Sequence, residues 1–255
     1  MSVDGLRIER DSGVLRLTFD RPERLNALTT ELIHAAADAI EEAAGDGTRV
    51  IVLTGTGRAF SSGADVGADG SPPGLDTVDA ANRLAMVIAG SPLVVVAAVN
   101  GIAAGVGCSI ALVADLAIAR SSAAFMLAFT KIGLMPDGGA SLLVAASVGR
   151  ARAARMALLA EKVSAATALE WGLIAGVVPD DDFDAEIERV SRLLADGPPL
   201  AYSATKRVLN AVTLEQLQAT LQAEREGQGA LLLSADFAEG MAAFQEKRPA
   251  DFRGA

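Results

Sequence analysis

Uninterrupted apolar runs, each ending in a glycine or a polar turn, are the most regular feature along this chain. The runs at 50–53 and 94–99 contain no polar residue, which is typical of strands buried on both faces of a parallel sheet. Apolar positions at 6–9 and 14–19 flank Ser12-Gly13, and this spacing predicts a β-hairpin. Because a helical pattern follows each buried strand, we expect repeated strand–turn–helix units that stack on one another.

Stretches with helical periodicity separate the strands and dominate the C-terminal part of the chain. Thr29 is placed to cap an amphipathic helix that runs to about residue 44. Further helices are predicted at 77–89, 105–113, 138–147, 150–159 and 165–171, and further strands at 116–119, 125–129 and 175–178. From residue 184 onward the pattern is helical, with a break at Pro198-Pro199. The pattern therefore predicts an α/β core followed by a helical C-terminal region.

Charge and composition narrow the choice of partners. A formal net charge of −10 repels nucleic acid and anionic membranes, so we expect neither as a partner, and a polyanionic ligand would need a local basic patch. The single cysteine excludes an intrachain disulfide and fits a reducing compartment. The first residues lack a basic segment followed by an apolar stretch, so we expect no signal peptide and a cytoplasmic location. The apolar stretch at 93–116 is interrupted by Asn100 and by glycines, and we interpret it as buried core.

Two glycine-rich loops follow the buried strands, at 57–66 and at 100–109. Ligands often bind beyond strand ends, and glycines let a ligand approach unpaired backbone amides closely. One amide from each loop could converge on a single oxygen, which is the arrangement of an oxyanion hole. On spacing alone, ordinary turns and packing glycines are the favoured interpretation. The glycines at 101, 105 and 107 do not have the spacing of a dinucleotide-binding motif.

Asp137 is the ionisable residue that its surroundings single out, because it lies in an apolar, glycine-flanked segment at 132–139. Burial there would raise its pKa and suit it to proton transfer near neutral pH. The same position fits an N-cap of the following helix, and the residues alone leave both interpretations open. His34, the only histidine, is expected on a solvated helix face, and Cys108 is expected to be inert core. Metal binding and serine–histidine catalysis therefore have little support.

Several segments, taken together and in order, resemble the crotonase (enoyl-CoA hydratase/isomerase) superfamily along essentially the whole chain. These segments are 21–28, 57–66, 99–109, 125–139, 170–173 and 244–248. The resemblance implies an α/β fold of the crotonase type, a spiral of stacked ββα units with a C-terminal helical region. It further implies a spiral core with the CoA and catalytic site at 1–195, an oligomerisation region at 196–255, and a homotrimer or dimer of trimers.

The resemblance also implies roles for individual residues. The backbone N–H groups of Ala64 and Val106 would form the oxyanion hole that holds the thioester oxygen as it becomes an enolate. The positions that contact CoA in the family are occupied here by Arg24, Leu25, Ala27, Ser62, Asp65 and Val66. Lys247 matches a C-terminal lysine that reaches a CoA phosphate, often from a neighbouring subunit. Arg24 and Lys247 would then supply the positive charge that the acidic chain otherwise lacks.

The departures from the family pattern concern proton transfer. Hydratases of the family use two glutamates to position and activate water, and Ser109 and Phe129 stand at those positions here. Asp137 remains, in a segment most similar to the ring-1,2-epoxyphenylacetyl-CoA isomerase branch. That branch uses an aspartate at this position as acid/base and also acts as a Δ3,Δ2-enoyl-CoA isomerase. One carboxyl group can take a proton from one carbon and return it to another. We therefore expect an isomerase of unsaturated or epoxidised acyl-CoA, with no cofactor beyond the CoA of the substrate.

Two other functions stay open on the sequence. Asp137 could serve another reaction of the family, either hydration or nucleophilic attack, as an aspartate near this position does in a dehalogenase branch. The absence of both family glutamates also fits a non-catalytic acyl-CoA-binding protein. The loop at 67–76 and the helix after it are expected to shape the acyl pocket, without revealing the acyl group.

Overall fold

The computed structural model describes residues 3–66 and 73–255, along which strands and helices alternate. The strands in these residues are β1 (Leu6–Asp11), β2 (Val14–Phe19), β3 (Val50–Gly55), β4 (Ala59–Ser61), β5 (Val94–Val99), β6 (Ile102–Ala104), β7 (Leu116–Arg120), β8 (Ala124–Met126), β9 (Val163–Ser164) and β10 (Gly176–Val178). The helices are α1 (Thr30–Ala43), α2 (Leu75–Gly90), α3 (Val106–Val113), α4 (Ala140–Val148), α5 (Arg150–Leu159), α6 (Ala165–Trp171), α7 (Phe183–Asp196), α8 (Pro199–Thr213), α9 (Leu217–Leu231) and α10 (Ala235–Glu246). Short 3₁₀ helices lie at Pro22–Arg24, Ala128–Ile132 and Asp180–Asp182.

Two sheets form the centre of the fold. The larger has six strands in the order β1-β2-β3-β5-β7-β10, and the smaller has four in the order β4-β6-β8-β9. β1 and β2 form the predicted antiparallel hairpin, and β2, β3, β5, β7 and β10 run parallel. Successive units contribute one strand to the larger sheet, one to the smaller sheet and then a helix: β3-β4-α2, β5-β6-α3 and β7-β8-α4. This repetition is the stacking that the sequence predicts, with a second short strand in each unit.

The hydrophobic pattern alone misses three of the four strands of the smaller sheet, β4, β6 and β9. It predicts glycine turns where β4 and β6 lie, because strands of three residues are too short to reveal a period of two. The strand predicted at 125–129 is wrong in its second half, since β8 ends at Met126 and a 3₁₀ helix covers Ala128–Ile132. Thr29 caps α1 as predicted, and its hydroxyl accepts a hydrogen bond from the Leu32 N–H at 3.2 Å.

The central strands of the larger sheet, β3 and β5, are buried on both faces, which explains their unbroken apolar runs. Successive side chains of a strand point to opposite faces. Val50 and Val52 therefore join one core with Phe183 and Ile187 of α7, while Ile51 joins the main core on the other face. The prediction of doubly buried parallel strands is confirmed by this arrangement.

Two buried asparagines shape the chain where it leaves the larger sheet. Asn26 has a left-handed backbone conformation, with φ of 56°, and its amide donates to the carbonyl oxygens of Thr56 at 2.9 Å and Ala59 at 2.7 Å. Asn100 donates to the carbonyl oxygens of Gly57 at 2.9 Å and Ala59 at 3.1 Å. Both asparagines donate to the carbonyl oxygen of Ala59 in β4, so the loops that follow β2 and β5 are joined at this point.

The C-terminal helices pack back onto the core. Lys206 of α8 is buried, and its Nζ donates to the carbonyl oxygens of Ile88 at 2.8 Å and Leu93 at 3.0 Å while pairing with Asp115 at 2.8 Å. α9 packs against α2 and α4, which brings it to the loop before α4. Within the ranges that the structure describes, no helix is both long and apolar enough to cross a membrane.

Candidate active site

A largely apolar cavity of about 670 Å³ lies where the loops after β4, β6 and β8 meet. It brings together most of the residues that the sequence singles out, which come from five separate parts of the chain. The predicted residues that line it are Arg24, Leu25, Ala27, Ser62, Ala64, Asp65, Val66, Val106, Phe129 and Asp137. The cavity is therefore our candidate active site.

The loops that carry Ala64 and Val106 touch through two glycines. Gly63 has φ of +104° and Gly105 has φ of +52°, conformations that side chains rarely adopt. A side-chain carbon on Gly63 would lie 3.1 Å from the carbonyl oxygen of Ala104 and 3.6 Å from the Cα of Gly105. The two backbones approach this closely because neither glycine has a side chain, and the contact sets Ala64 beside Val106.

The amides of Ala64 and Val106 are free of backbone acceptors in the described part of the chain. Ala64 forms a parallel bridge in which the Leu28 N–H donates to the Gly63 carbonyl and the Asp65 N–H donates to the Leu28 carbonyl, both at 2.9 Å. The Ala64 N–H therefore points away from Leu28. Val106 is the first residue of α3, so its N–H has no partner within the helix. Two donors at one cavity wall can hold an oxyanion.

Asp137 lies in the same cavity with a buried carboxyl group, and only 6% of the residue is exposed. Its Oδ2 accepts a hydrogen bond from Nε2 of Gln228 at 2.9 Å, while its Oδ1 has no partner among the described residues. Burial raises the pKa of Asp137 to about 7, the hydrogen bond from Gln228 opposes the rise and the charge of Glu224 adds to it. A carboxyl group with this pKa can both take and give a proton near neutral pH.

The alternative interpretation of Asp137 as a helix N-cap is wrong. The N-cap residue of α4 is Gly139, and no side chain of its own segment caps this helix. Instead, the carboxylate of Glu224 on α9 accepts hydrogen bonds from the N–H groups of Gly139 at 2.7 Å and Ser141 at 2.9 Å. Because the capping charge comes from another helix, the carboxyl group of Asp137 is left for the cavity.

Glu224 and Gln228, which hold the Asp137 loop, are two residues that our sequence reasoning missed. Both are buried and continue the apolar stripe of α9 that begins with Leu217 and Leu221. The signal was present in the sequence, since polar residues at positions of an apolar helical stripe must find buried partners.

Ser109 and Phe129, at the positions of the family glutamates, offer no second acid. The Ser109 hydroxyl is buried and donates to the backbone carbonyl of Asp137 at 2.7 Å. A side-chain carbon on Gly138 would lie 3.0 Å from the Cβ of Ser109, so the loop packs tightly on α3. Phe129 lines the cavity with its apolar ring. Ser109 thus holds the loop that carries Asp137, and Phe129 shapes the pocket.

Ion pairs and hydrogen bonds hold the early loop at 21–28 against the cavity wall. Asp65 pairs with Arg21 at 2.6 Å and with Arg24 at 3.3 Å. The Ser62 N–H donates to the carbonyl of Leu25 at 2.9 Å, and the Ser62 hydroxyl donates to the carbonyl of Arg24 at 3.3 Å. The predicted CoA-contacting residues of the early loop and of the loop at 62–66 therefore lie side by side on one wall of the cavity.

Lys247 and Ser109 are the predicted site residues that do not line this cavity. Ser109 lies behind the Asp137 loop, as its hydrogen bond to the Asp137 carbonyl shows. Lys247 lies at the end of α10 in a left-handed conformation with φ of 54°, and its predicted contact with a neighbouring subunit stays a prediction. Arg58 and Lys131 line the cavity instead and were not predicted as site residues.

The predicted pocket loop at 67–76 falls partly on residues 67–72, which lie outside the described residues. The described remainder, with the start of α2, does line the cavity through Pro73, Gly74, Thr77, Val78 and Ala81. Cys108 is buried, and burial raises the pKa of its thiol to about 12, which agrees with an inert thiol. His34 lies on α1 beside Arg83, away from the cavity.

Comparison with known proteins finds similar sequences and structures along the whole chain. Residues 9–255 match the protein family described as enoyl-CoA hydratase/isomerase. A probable enoyl-CoA hydratase of Rhodobacter capsulatus is 47% identical over 258 residues, covering 100% of both chains. The 1,2-epoxyphenylacetyl-CoA isomerase of Escherichia coli is 38% identical over 252 residues, covering 96% of each.

The crystal structure of an enoyl-CoA hydratase from Mycobacterium avium subsp. paratuberculosis superimposes with a TM-score of 0.93. It is 50% identical in sequence, and the match covers 99% of this chain and 100% of that one. The predicted α/β architecture of the crotonase type is confirmed by this likeness.

Proposed function

Because the chain belongs to the enoyl-CoA hydratase/isomerase family, the crotonase superfamily, we propose that it isomerises an unsaturated or epoxidised acyl-CoA thioester through an enolate. One observation carries the choice of isomerisation. Among the described residues that line the cavity, Asp137 has the one buried carboxyl group, and its pKa is about 7. The same cavity is lined by Ala64 and Val106, whose N–H groups have no backbone acceptor in the described ranges. Acyl-CoA chemistry is common to the family, and the choice of isomerisation over hydration is our inference from the site.

In the proposed reaction, Asp137 moves the proton. An oxygen of its carboxylate removes a proton from a carbon near the thioester, and the electrons move onto the thioester oxygen. The N–H groups of Ala64 and Val106 stabilise this enolate, and one such donor typically contributes about 2.7–4 kcal/mol to lowering the barrier. The protonated carboxyl group then returns the proton to a different carbon, which shifts the double bond.

Isomerisation is favoured over hydration because, among the described residues that line the cavity, Asp137 has the one buried carboxyl group. Glu23 is exposed, and Asp65 is paired with arginines of the early loop. Water addition in the family pattern needs two acids, and the hydroxyl of Ser109 is already engaged by the carbonyl of Asp137 at 2.7 Å. Glu224, the other buried carboxylate nearby, is held by two N–H groups of the α4 N-terminus. The names of the relatives include both a hydratase and an isomerase, so the proposal depends on these contacts.

The cavity walls suggest how a CoA thioester is held. The acyl group is expected in the apolar part, which is lined by Val66, Val78, Met126, Phe129, Leu134 and Leu232. Arg24, Arg58 and Lys131 line the same cavity and are suited to the CoA phosphates. The proposed scheme uses no metal and no redox cofactor, and CoA enters as part of the substrate.

We also propose that the chain assembles into a homotrimer or a dimer of trimers. Large apolar side chains of α8 are exposed in the single chain: Leu200, Val208, Leu209 and Val212. A row of this kind is typical of an interface that is covered in the assembly. In such an assembly, Lys247 of one subunit would approach the CoA phosphates in the next.

The reaction is tested with a panel of substrates whose products are identified by NMR. We expect 3-enoyl-CoA thioesters to be converted to 2-enoyl-CoA thioesters, and epoxidised aryl-acetyl-CoA to be rearranged, faster than water is added to 2-enoyl-CoA. Dominant formation of 3-hydroxyacyl-CoA would contradict the proposal and favour hydration. Binding of these thioesters without turnover of any of them would favour a non-catalytic acyl-CoA-binding protein.

A further inference from the structure

Helix α9 places two buried polar side chains against the loop that carries Asp137. Glu224 and Gln228 are each 1% exposed, and they lie four residues apart on the face that Leu217 and Leu221 continue. Neighbours at this spacing lie on the same side of a helix. Burying two polar side chains in place of two leucines costs stability unless their hydrogen bonds are satisfied, so this placement needs an explanation.

Gln228 is held in one orientation by two different partners. Its Oε1 accepts a hydrogen bond from the Met135 N–H at 3.3 Å, and its Nε2 donates to Oδ2 of Asp137 at 2.9 Å. Since the backbone N–H can only donate, the oxygen of the amide must face Met135 and the NH₂ group must face Asp137. Oδ2 is thereby engaged, and Oδ1 remains the carboxyl oxygen without a partner among the described residues.

Glu224 fixes the other end of the same loop. Its two oxygens accept from the N–H groups of Gly139 and Ser141, the first residues of α4. Gly138, between Asp137 and this anchor, packs against Ser109. The loop is therefore held on both sides of Asp137 by one helix that lies far along the chain.

We propose that Gln228 and Glu224 are positioning residues for proton transfer: Gln228 holds one carboxyl oxygen of Asp137 so that the other is left unpaired to exchange the proton, and Glu224 anchors the loop that carries Asp137. This inference rests on the proposed role of Asp137 in isomerisation. It assigns part of the reaction site to the C-terminal helical region.

The two residues act on the pKa of Asp137 in opposite directions. The hydrogen bond from Gln228 favours the ionised form and lowers this pKa, while the charge of Glu224 disfavours it and raises this pKa. The other titratable side chains around the cavity come from its remaining walls: Glu23, Arg24, Arg58, Asp65 and Lys131. If replacing Gln228 raises the pKa of Asp137 and replacing Glu224 lowers it, a general loosening of the structure does not explain both shifts. The direction of each shift therefore distinguishes a positioning role from a packing role.

The experiment titrates Asp137 in the full chain by ¹³C NMR of labelled aspartate carboxyl groups, with Asp137→Asn to assign the signal. Gln228→Met keeps the length but removes the donor, and the midpoint should move to higher pH. Glu224→Gln removes the charge, and the midpoint should move to lower pH. Gln222→Met and Glu226→Gln, at exposed positions of α9, should leave the midpoint of the parent protein unchanged.

The pH profile of turnover on a 3-enoyl-CoA substrate gives a second readout. For Gln228→Met we expect kcat at neutral pH to fall about tenfold or more while KM changes less than about threefold, because the oriented base is disturbed and substrate binding is not. Should Gln228→Met fail to fold, Gln228→Asn, which keeps the amide but cannot span both partners, is expected to raise the midpoint as well.

The proposal is overturned if folded Gln228 and Glu224 variants leave the midpoint unmoved, or if both move it in the same direction. The titration needs no turnover, so it remains informative if the protein proves not to be an isomerase. Opposite shifts in a chain without isomerase activity would support the positioning roles of Gln228 and Glu224 and contradict the proposed isomerase function. Isomerase activity without these shifts would support the proposed function and contradict the positioning roles.

Discussion

Ionisation of Asp137 destabilises the folded protein, because burial raises the pKa of its carboxyl group. Its ordinary pKa is 3.8, and burial raises it to about 7 in the folded chain. Between these values the folded state binds more protons at this site than the unfolded state does. The contribution of Asp137 to the free energy of unfolding therefore falls as pH rises through this window.

Replacement of Asp137 by asparagine removes this cost and is expected to stabilise the protein above pH 7. The gain has an upper bound of about 4 kcal/mol at pH 8, because each tenfold change in the proton affinity of the carboxyl group corresponds to about 1.4 kcal/mol. At about pH 3 the gain should vanish, since the aspartate is then neutral in both states. Urea unfolding of both proteins at the two pH values measures the difference.

The exposed variant Asp181→Asn is the matched control and should show the same small difference from the parent at both pH values. A gain for Asp137→Asn that is equal at low and high pH would contradict the raised pKa. A loss of stability at pH 8 would contradict it more strongly.

The residues of the site were predictable to different degrees. Asp137, Ala64 and Val106 stand in short motifs that the sequence displays, and the structure places all three at one cavity. Glu224 and Gln228 could not be paired with that cavity from spacing, because their partners lie 85 and 91 residues earlier in the chain. The N-cap hypothesis for Asp137 was wrong for the same reason, since the capping carboxylate arrives from a distant helix.

Among the structural elements, α8 shows how the C-terminal helices depend on the core. Lys206 pairs with Asp115 at 2.8 Å, and Asp115 also accepts from the Val95 N–H at 2.7 Å. Burial raises the pKa of Asp115 and lowers that of Lys206, and the ion pair opposes both changes. Each charge is tolerated in the interior because the other is present.

Removal of one partner of this pair is expected to destabilise the protein strongly. Lys206→Met should lower the free energy of unfolding by about 3–5 kcal/mol, because it leaves Asp115 buried without its counter-charge. The double variant Lys206→Met/Asp115→Asn should recover part of this loss, and Arg207→Met, on the exposed side of α8, should cost little. A negligible effect of Lys206→Met in urea unfolding would show that the pair does not hold α8.

Element prediction succeeded where the periodic signal was long. The buried strands and the capped helix α1 have clear patterns, and the structure contains them. β4 and β6 were missed because each has three residues, and because the asparagine contacts that hold them, such as Asn26 to Ala59, join distant parts of the sequence. Short strands of this kind are determined by the sheet they join more than by their own residues.

For the molecule as a whole, the exposed apolar side chains of α8 lead to a prediction about assembly. The chain should elute as a trimer or hexamer in size-exclusion chromatography with light scattering. Leu209→Asp combined with Val212→Asp places charges on exposed apolar positions and should give smaller species. Gln222→Asp, at an exposed polar position of α9, should leave the mass unchanged. A monomeric parent protein would contradict the proposed assembly.

The stacked strand–helix units could be predicted from repeated signals in a fixed order, and the resemblance to the crotonase superfamily supplied the second strand of each unit. The cavity emerges only when those units are packed together, since its walls come from loops after β4, β6 and β8 and from α2 and α9. Sequence patterns specify such elements well and specify the contacts between them poorly.

The central claim is that the carboxyl group of Asp137 moves the proton, and Asp137→Asn tests it most directly. The measurement compares kcat on a 3-enoyl-CoA substrate with the Kd of a non-reactive saturated acyl-CoA, for the parent and the variant. We expect kcat to fall by about 10²–10⁴-fold, the usual contribution of a general acid or base, while Kd changes by less than about threefold. Turnover that stays within tenfold of the parent, at unchanged Kd, would contradict the account.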